Sequence, residues 1–268
     1  MSARLIPNEL VKATSGRLAA GSALTMLNGV CVSAATVTQG CLFVPLTLNT
    51  ADGHRDIDAA LQKGAGGVLC ARSSGKTAGV VKKWPGKIVV EVDDALEALL
   101  NLACYWRHKI NACAVIGSPG SEPVLSRARE MLTAEKKPLH VRCTRDSLHT
   151  AALRLLELNA NHGWVLLELA EDCAATAARL CAMSMPAAAV ITADGPAARA
   201  LLDAPDPPAA VFVPAGARSA SLPGRTGVKI IVCDADCGKT KQPSGSGPES
   251  AHLSMARCLV RYLGCDAP

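Results

Sequence analysis

Short blocks of apolar, often β-branched residues recur along the chain, separated by longer stretches in which apolar positions return every three or four residues. The first pattern predicts buried strands, the second helices with one apolar face. Pro7–Thr14 reads as a short helix with proline in its first turn, Gly16 and Gly21 as turns, residues 26–32 as a strand and residues 41–46 as a second apolar run. Residues 57–61 read as an amphipathic helix ended by Gly64, followed by a strand over Gly67–Ala71. Ile88, Val89, Val90 and Val92 make residues 87–92 a buried strand. Asp93 and Asp94 then cap a helix over residues 95–109, with apolar positions at 96, 99, 100 and 103.

Beyond Asn111 the alternation becomes regular. Candidate strands are residues 112–117, 139–142, 164–169, 187–192, 210–213 and Lys229–Cys233, with a helix running to about residue 134 after the first. Residues 240–250 are rich in Gly, Ser and Pro and read as a loop, and a last helix over 251–263 stops at Gly264. Strands alternating with helices predict a mostly parallel sheet covered on both faces. The expected fold is therefore α/β, with a small α/β module over residues 1–110. A mostly parallel, P-loop-NTPase-like sheet flanked by helices follows over residues 111–268.

The chain has 268 residues, 49% of them hydrophobic, which excludes a disordered or fibrous chain. Aromatic residues are only 3%, too few for the stacking platforms that hold single-stranded nucleic acid. The net charge of +5 is spread along the chain, and its densest stretch, Lys82, Lys83 and Lys87, is split by Trp84 and Pro85. No nucleic-acid partner is expected from so diffuse a charge. No membrane span and no secretory leader are expected either, which predicts a cytoplasmic protein. The 12 cysteines then read as reduced thiols acting as small hydrophobes. The close pair Cys233 and Cys237 lacks the second ligand pair of a metal knuckle.

In α/β folds the loop after a sheet's first parallel strand commonly seats phosphate on a helix N-terminus. Here that loop is Gly117-Ser118-Pro119-Gly120-Ser121-Glu122-Pro123-Val124-Leu125. A phosphate loop needs G-x-x-x-x-G-K-[ST], because the lysine reaches the outer phosphates and the hydroxyl ligates magnesium. Pro123-Val124-Leu125 reads as standing in place of Gly-Lys-Thr, and Glu122 brings negative charge. Gly117, Ser118, Gly120 and Ser121 are thus candidates for a degenerate nucleotide loop that turns tightly and binds nucleotide poorly. Two further triplets, Gly75-Lys76-Thr77 and Gly238-Lys239-Thr240, have cysteine (Cys70 and Cys233) where the leading glycine belongs, and read as solvated turns.

The chain resembles the Mur ligases, most like the type that adds D-alanyl-D-alanine to a UDP-N-acetylmuramoyl-tripeptide. The likeness is carried by Glu9-Leu10, Ala13-Thr14-Ser15-Gly16, Gly40-Cys41-Leu42-Phe43-Val44-Pro45-Leu46, Asp52-Gly53-His54 and Gly64-Ala65-Gly66-Gly67-Val68. It continues through the loop at Gly117, Arg129-Glu130-Met131-Leu132 and Val165-Leu166-Leu167-Glu168-Leu169. The resemblance implies an N-terminal domain for the UDP part of a substrate, with Asp52, Gly53 and His54 beside it. It implies a central ATP- and magnesium-binding domain in which Glu168 lies at a metal position. It also implies a third domain, which this chain does not reach.

Several family positions differ. The Asp-Ser/Thr-Arg signature falls on Ser33-Ala34-Ala35, the loop lysine and threonine fall on Val124 and Leu125, and Ala193-Asp194-Gly195 replaces the expected Asn and His. The expected function is a Mur-ligase-like protein of peptidoglycan precursor synthesis that is catalytically defective, has no catalytic residue or cofactor, and acts by binding. Its partner would be a cell-wall synthesis protein or a UDP-sugar-type ligand. The alternatives are a ligase using ATP and magnesium with help from a partner chain, or a small-molecule binder on the same fold. His140 and His149 read as ordinary histidines, and no Gly-x-Ser-x-Gly elbow activates Ser118 or Ser121.

Overall fold

The computed structural model describes residues 3–48, 51–133, 136–214, 228–233 and 248–265. The second Gly-Lys-Thr triplet, Cys237 and most of the loop expected at 240–250 lie outside the described residues. Two compact units form, Met1–Ile110 with Ala152–Asn159, and Asn111–Ala151 with Ala160–Pro268.

In chain order the first unit holds β1 (Arg4–Leu5), α1 (Pro7–Thr14), β2 (Arg17–Ala20), β3 (Leu27–Asn28), β4 (Val30–Cys31), β5 (Leu42–Phe43), β6 (Thr47–Leu48) and β7 (Ala51–Asp52). A 3-10 turn at Gly53–Asp56 leads into α2 (Ile57–Gln62), β8 (Gly67–Ala71), α3 (Thr77–Lys83), β9 (Ile88–Val92) and α4 (Ala95–Ile110). The main sheet has the order β2-β9-β8-β5-β4 and is parallel except for β2. Cys31, Phe43, Val68, Cys70 and Val89 on one face pack against Ile57, Ala60 and Leu61 of α2 and Val80 of α3.

The expected strand at 26–32 is two short strands, because Gly29 turns between them at φ +83°. The apolar run at 41–46 pairs only at Leu42–Phe43. Helix α3 buries Val80 alone and so has no apolar stripe to announce it. On α4 the buried positions are 95, 98, 99, 100, 102, 103, 106 and 107, so 99, 100 and 103 are buried as expected and Leu96 is only half-buried. Residues 18–48 carry no charge, yet they form short strands and turns. No helix among the described residues is long and apolar enough to cross a membrane.

The sequence expectation places all of 111–268 in the second unit, whereas the structure gives residues 152–159 to the first. Two long-range bonds hold that segment: the Trp106 indole N–H donates to the Leu158 carbonyl at 2.9 Å, and the Ala3 amide donates to the Leu156 carbonyl at 2.9 Å. Nothing local in the sequence signals either bond.

The second unit contains β10 (Cys113–Gly117), α5 (Glu122–Leu132), β11 (Lys137–Cys143), the start of α6 (Leu148–Leu155), β12 (His162–Leu169), α7 (Ala174–Ser184), β13 (Ala188–Val190), α8 (Pro196–Leu202), β14 (Ala210–Pro214), β15 (Lys229–Cys233) and α9 (Pro248–Tyr262). Its six strands run in the order β11-β12-β10-β13-β14-β15, and every pair is parallel. Val115, Leu166, Ala188, Val190 and Phe212 meet α5 and α9 on one face. The alternating Ile116, Val165, Leu167, Ala189 and Val211 are equally buried, as expected of a parallel sheet covered on both sides.

Replacing Trp106 with Phe leaves the Leu158 carbonyl without its donor. The expected cost is about 1–3 kcal/mol, read as a lower urea midpoint.

Candidate functional site

The chain leaves β10 toward β11 and β12 on one side of the sheet and then crosses to β13 on the other. Such a switch point opens a crevice at the carboxyl ends of the strands. Gly117 ends β10 there, in register with Glu168 of β12 and Val190 of β13. The four candidate loop residues Gly117, Ser118, Gly120 and Ser121 all lie at this point, between β10 and the head of α5.

Hydrogen bonds lash the loop to the end of β13. The Ser118 amide donates to the Val190 carbonyl at 2.8 Å, the Thr192 amide donates to the Ser118 hydroxyl at 3.1 Å, and the Thr192 hydroxyl donates to the Pro119 carbonyl at 2.8 Å. Gly120 turns at φ +86°, and α5 begins two residues later. A Cβ on Gly117 would stand 2.0 Å from the Ser121 hydroxyl and 2.8 Å from a Leu125 methyl, so only glycine fits. The Ser121 side chain is fully buried and its hydroxyl has no hydrogen-bond partner.

Val124 and Leu125 are not the side chains that face this turn. Both are fully buried in the core with Val115, Leu166 and Val190. With α5 starting at Glu122, positions 124, 125, 128 and 132 form its inward stripe. Gly120 is the glycine that turns into the helix, so Ser121 and Glu122 take the places where a phosphate loop has Lys and Ser/Thr. The sequence reading of Val124 and Leu125 in those places is corrected by three residues.

Glu168 is nearly buried, and two basic side chains face it. The Arg142 Nε lies 3.5 Å from one carboxylate oxygen and the His140 Nε2 lies 3.6 Å from the other. Parallel pairing of β11 with β12 puts Arg142 opposite Glu168 and His140 opposite Leu166, all on one face. His140 therefore does have a carboxylate neighbour, one that spacing along the chain does not reveal. Burial pushes the Glu168 carboxyl above its ordinary range, Arg142 opposes that, and Glu122 adds to it. Burial likewise pushes the His140 imidazole down, with Arg129 acting in the same sense.

Magnesium commonly sits on one or two carboxylates plus phosphate oxygens. Here it would meet Glu168, already faced by a guanidinium and an imidazole, with Glu122 near it. Among the described residues no three His, Cys, Asp or Glu side chains gather as a metal site. An ion there would compete with both basic groups for the Glu168 carboxylate.

In the first unit, Asp52, Gly53 and His54 build a turn. One Asp52 oxygen accepts from the His54 amide at 3.0 Å and lies 2.9 Å from the ring Nδ1, while Nε2 accepts from the Ala71 amide at 3.4 Å. The two partners assign the proton to Nδ1. Gly53 lies so close to the Leu46 backbone that a Cβ would meet its carbonyl oxygen at 2.6 Å. Lys76, from the Gly75-Lys76-Thr77 triplet, donates to the His54 carbonyl at 2.9 Å. Beside this turn lies a cavity of about 330 Å³ lined by His54, Arg55, Asp58, Gly75, Lys76 and Lys83, among others. The sequence reading did not bring the triplet and His54 together.

No protein-family model matches the sequence. Solved structures do match. The MurF of Acinetobacter baumannii superposes on 99% of this chain with a TM-score of 0.76 at 15% identity, covering 66% of that structure. The UDP-N-acetylmuramoylalanyl-D-glutamyl-2,6-diaminopimelate–D-alanyl-D-alanyl ligase of the same organism gives 0.74 over 99% of this chain and 67% of its own, again at 15% identity. The MurF ligase of Thermotoga maritima in complex with ADP gives 0.67 over 90% of this chain and 64% of its own, at 15% identity. The chain thus has the Mur-ligase fold and spans about two thirds of the length of these structures.

Two outcomes follow at the switch point. Gly117→Ala forces Ser121 or Leu125 aside and lowers stability by about 1–3 kcal/mol in chemical denaturation. Glu168→Gln acts with a definite pH dependence. A carboxyl raised in the folded state binds its proton more tightly there than in the unfolded chain, so it makes stability fall as pH rises through the folded value. The glutamine does not titrate. Its Tm should exceed the wild type's at about pH 8, and the gain should vanish as the pH drops below the unfolded glutamate range.

Proposed function

We propose that this chain is a Mur-ligase-like protein of peptidoglycan precursor synthesis that acts by binding, without ATP-dependent ligation. One observation carries the reading: at the head of α5 the side chains next to Gly120 are a hydroxyl and a carboxylate, Ser121 and Glu122, with no ammonium group. Phosphoryl transfer is catalysed almost entirely by positioning and by charge placed against the moving group. Removing the loop lysine costs on the order of a thousandfold in rate or more. Glu122 and Glu168 add negative charge where triphosphate would lie, and Arg142 and His140 face Glu168 rather than a metal. Part of the backbone seat remains, with the Gly120 turn and the first-turn amides of α5 other than Pro123, which has none. That seat supports weak anion contact, not nucleotide capture.

The ligand or partner in this reading is a UDP-sugar-type molecule or a cell-wall synthesis protein. Its support is the likeness to a ligase whose name specifies a UDP-N-acetylmuramoyl peptide and to a MurF ligase in complex with ADP.

Titration calorimetry tests it. ATP with magnesium should give no saturable heat at micromolar concentrations, and ATP with UDP-muramoyl-tripeptide and D-alanyl-D-alanine should release no phosphate. Saturable magnesium-dependent ATP binding in that range, or phosphate release, would overturn the reading.

A further inference from the structure

Cys31 ends β4 and Cys41 directly precedes β5, the strand that pairs with it in parallel. Ten residues apart in sequence, their sulfurs stand 3.3 Å apart in the interior of the first unit. Cys31 is 6% and Cys41 1% exposed, within a cluster that also contains Phe43, Val68 and Cys70. Closing the gap to the roughly 2.0 Å of an S–S bond requires about 1.3 Å of approach.

The two thiols are not equivalent. A hydrogen bond from Cys31, helped by Thr38, holds the Cys41 thiol down at about 6 despite its burial. The same bond, with burial, pushes the Cys31 thiol up. Cys70, in the same cluster, is pushed up to about 11, mainly by burial, which outweighs its hydrogen bond with Thr77. Cys41, with Thr38 beside it, is therefore the sulfur that loses its proton more readily, and Cys31 is the one placed to resolve it.

We propose that Cys31 and Cys41 form a reversible dithiol–disulfide site that a small hydroperoxide oxidises. In the first step the Cys41 thiolate attacks a peroxide oxygen. An S–O bond forms, the O–O bond breaks, and the departing oxygen takes a proton and leaves as alcohol or water, giving a sulfenic acid on Cys41. In the second, the Cys31 sulfur attacks the Cys41 sulfur. The S–S bond forms, the S–O bond breaks, and hydroxide takes the Cys31 proton and leaves as water. Two thiols are oxidised by two electrons, and one peroxide is reduced. A small uncharged oxidant suits a pair this deep. The bond would tie edge strand β4 to β5 and close the residue 32–40 loop.

The test uses the full, reduced chain, titrated with hydrogen peroxide and mapped by peptide mass spectrometry without reduction. A Cys31–Cys41 linked peptide should form before the half-exposed Cys104 and Cys173 are oxidised, and dithiothreitol should reverse it. The oxidised chain should melt about 5 °C higher, as a closed loop predicts. In Cys31→Ser a 1,3-dione should trap sulfenic acid on Cys41, and in Cys41→Ser it should trap none on Cys31. Oxidation of Cys104 and Cys173 while Cys31 and Cys41 remain free thiols would overturn the proposal. So would a linked peptide that forms only in denaturant. Mapping the unmodified chain decides the matter even where a serine variant folds poorly.

Discussion

Helix α5 approaches the end of β10 so closely that position 117 has no room for a Cβ, and the Ser121 side chain occupies the space one would take. That contact sets where α5 starts and which of its residues point inward. Val124, Leu125, Ala128 and Leu132 become core, Ser121 is buried against Gly117, and Glu122 alone is left exposed at the head of the helix. The Ser118–Thr192 bonds then fix the loop against the end of β13. The tight strand-to-helix turn follows from these steric constraints alone. The chemistry of a phosphate loop needs an added positive charge, which the sterics do not supply.

Shape and charge part company in the same way in the first unit. Strand β8 runs through a short turn into α3, and Gly75-Lys76-Thr77 stands at the join. Here the ammonium is present, but Lys76 spends one donor on the His54 carbonyl and helps to brace the turn at Asp52. The second unit thus has a tight strand-to-helix turn with no lysine in it, and the first has a lysine engaged in structure. Residue type at a motif position says little until the hydrogen bonds of that residue are counted.

The parallel sheets were legible because each buried strand is a block of β-branched and apolar residues bounded by Gly, Pro or Asp. A strict alternation of apolar and polar positions is not needed where both faces are covered, and Ile88–Val92 and Cys113–Gly117 read correctly for that reason. The position of the crevice was legible too, since Gly117, Ser118, Gly120 and Ser121 mark a turn between a strand and a helix. The phase of α5 was not: loop spacing alone does not say that the chain turns into the helix at Gly120, and it puts Val124 in the place that Ser121 takes. Glu168 was visible at the end of an apolar run, but Arg142 and His140 reach it only through parallel register across two strands. The exchange of residues 152–159 into the first unit rests on single bonds to Trp106 and Ala3.

The cysteines show the same limit from the other side. In a core nearly without aromatic rings, a thiol is a convenient small filler, and most of the described cysteines are buried. Read singly, Cys31 and Cys41 look no different from Cys70 or Cys181. What distinguishes them is that the loop after β4 returns the chain to a parallel neighbour, which brings residues ten apart onto adjacent strands. Burial alone would leave both as inert thiols. Contact between them gives one sulfur a donor and the other a reason to keep its proton, and that asymmetry arises only from the pairing of the strands.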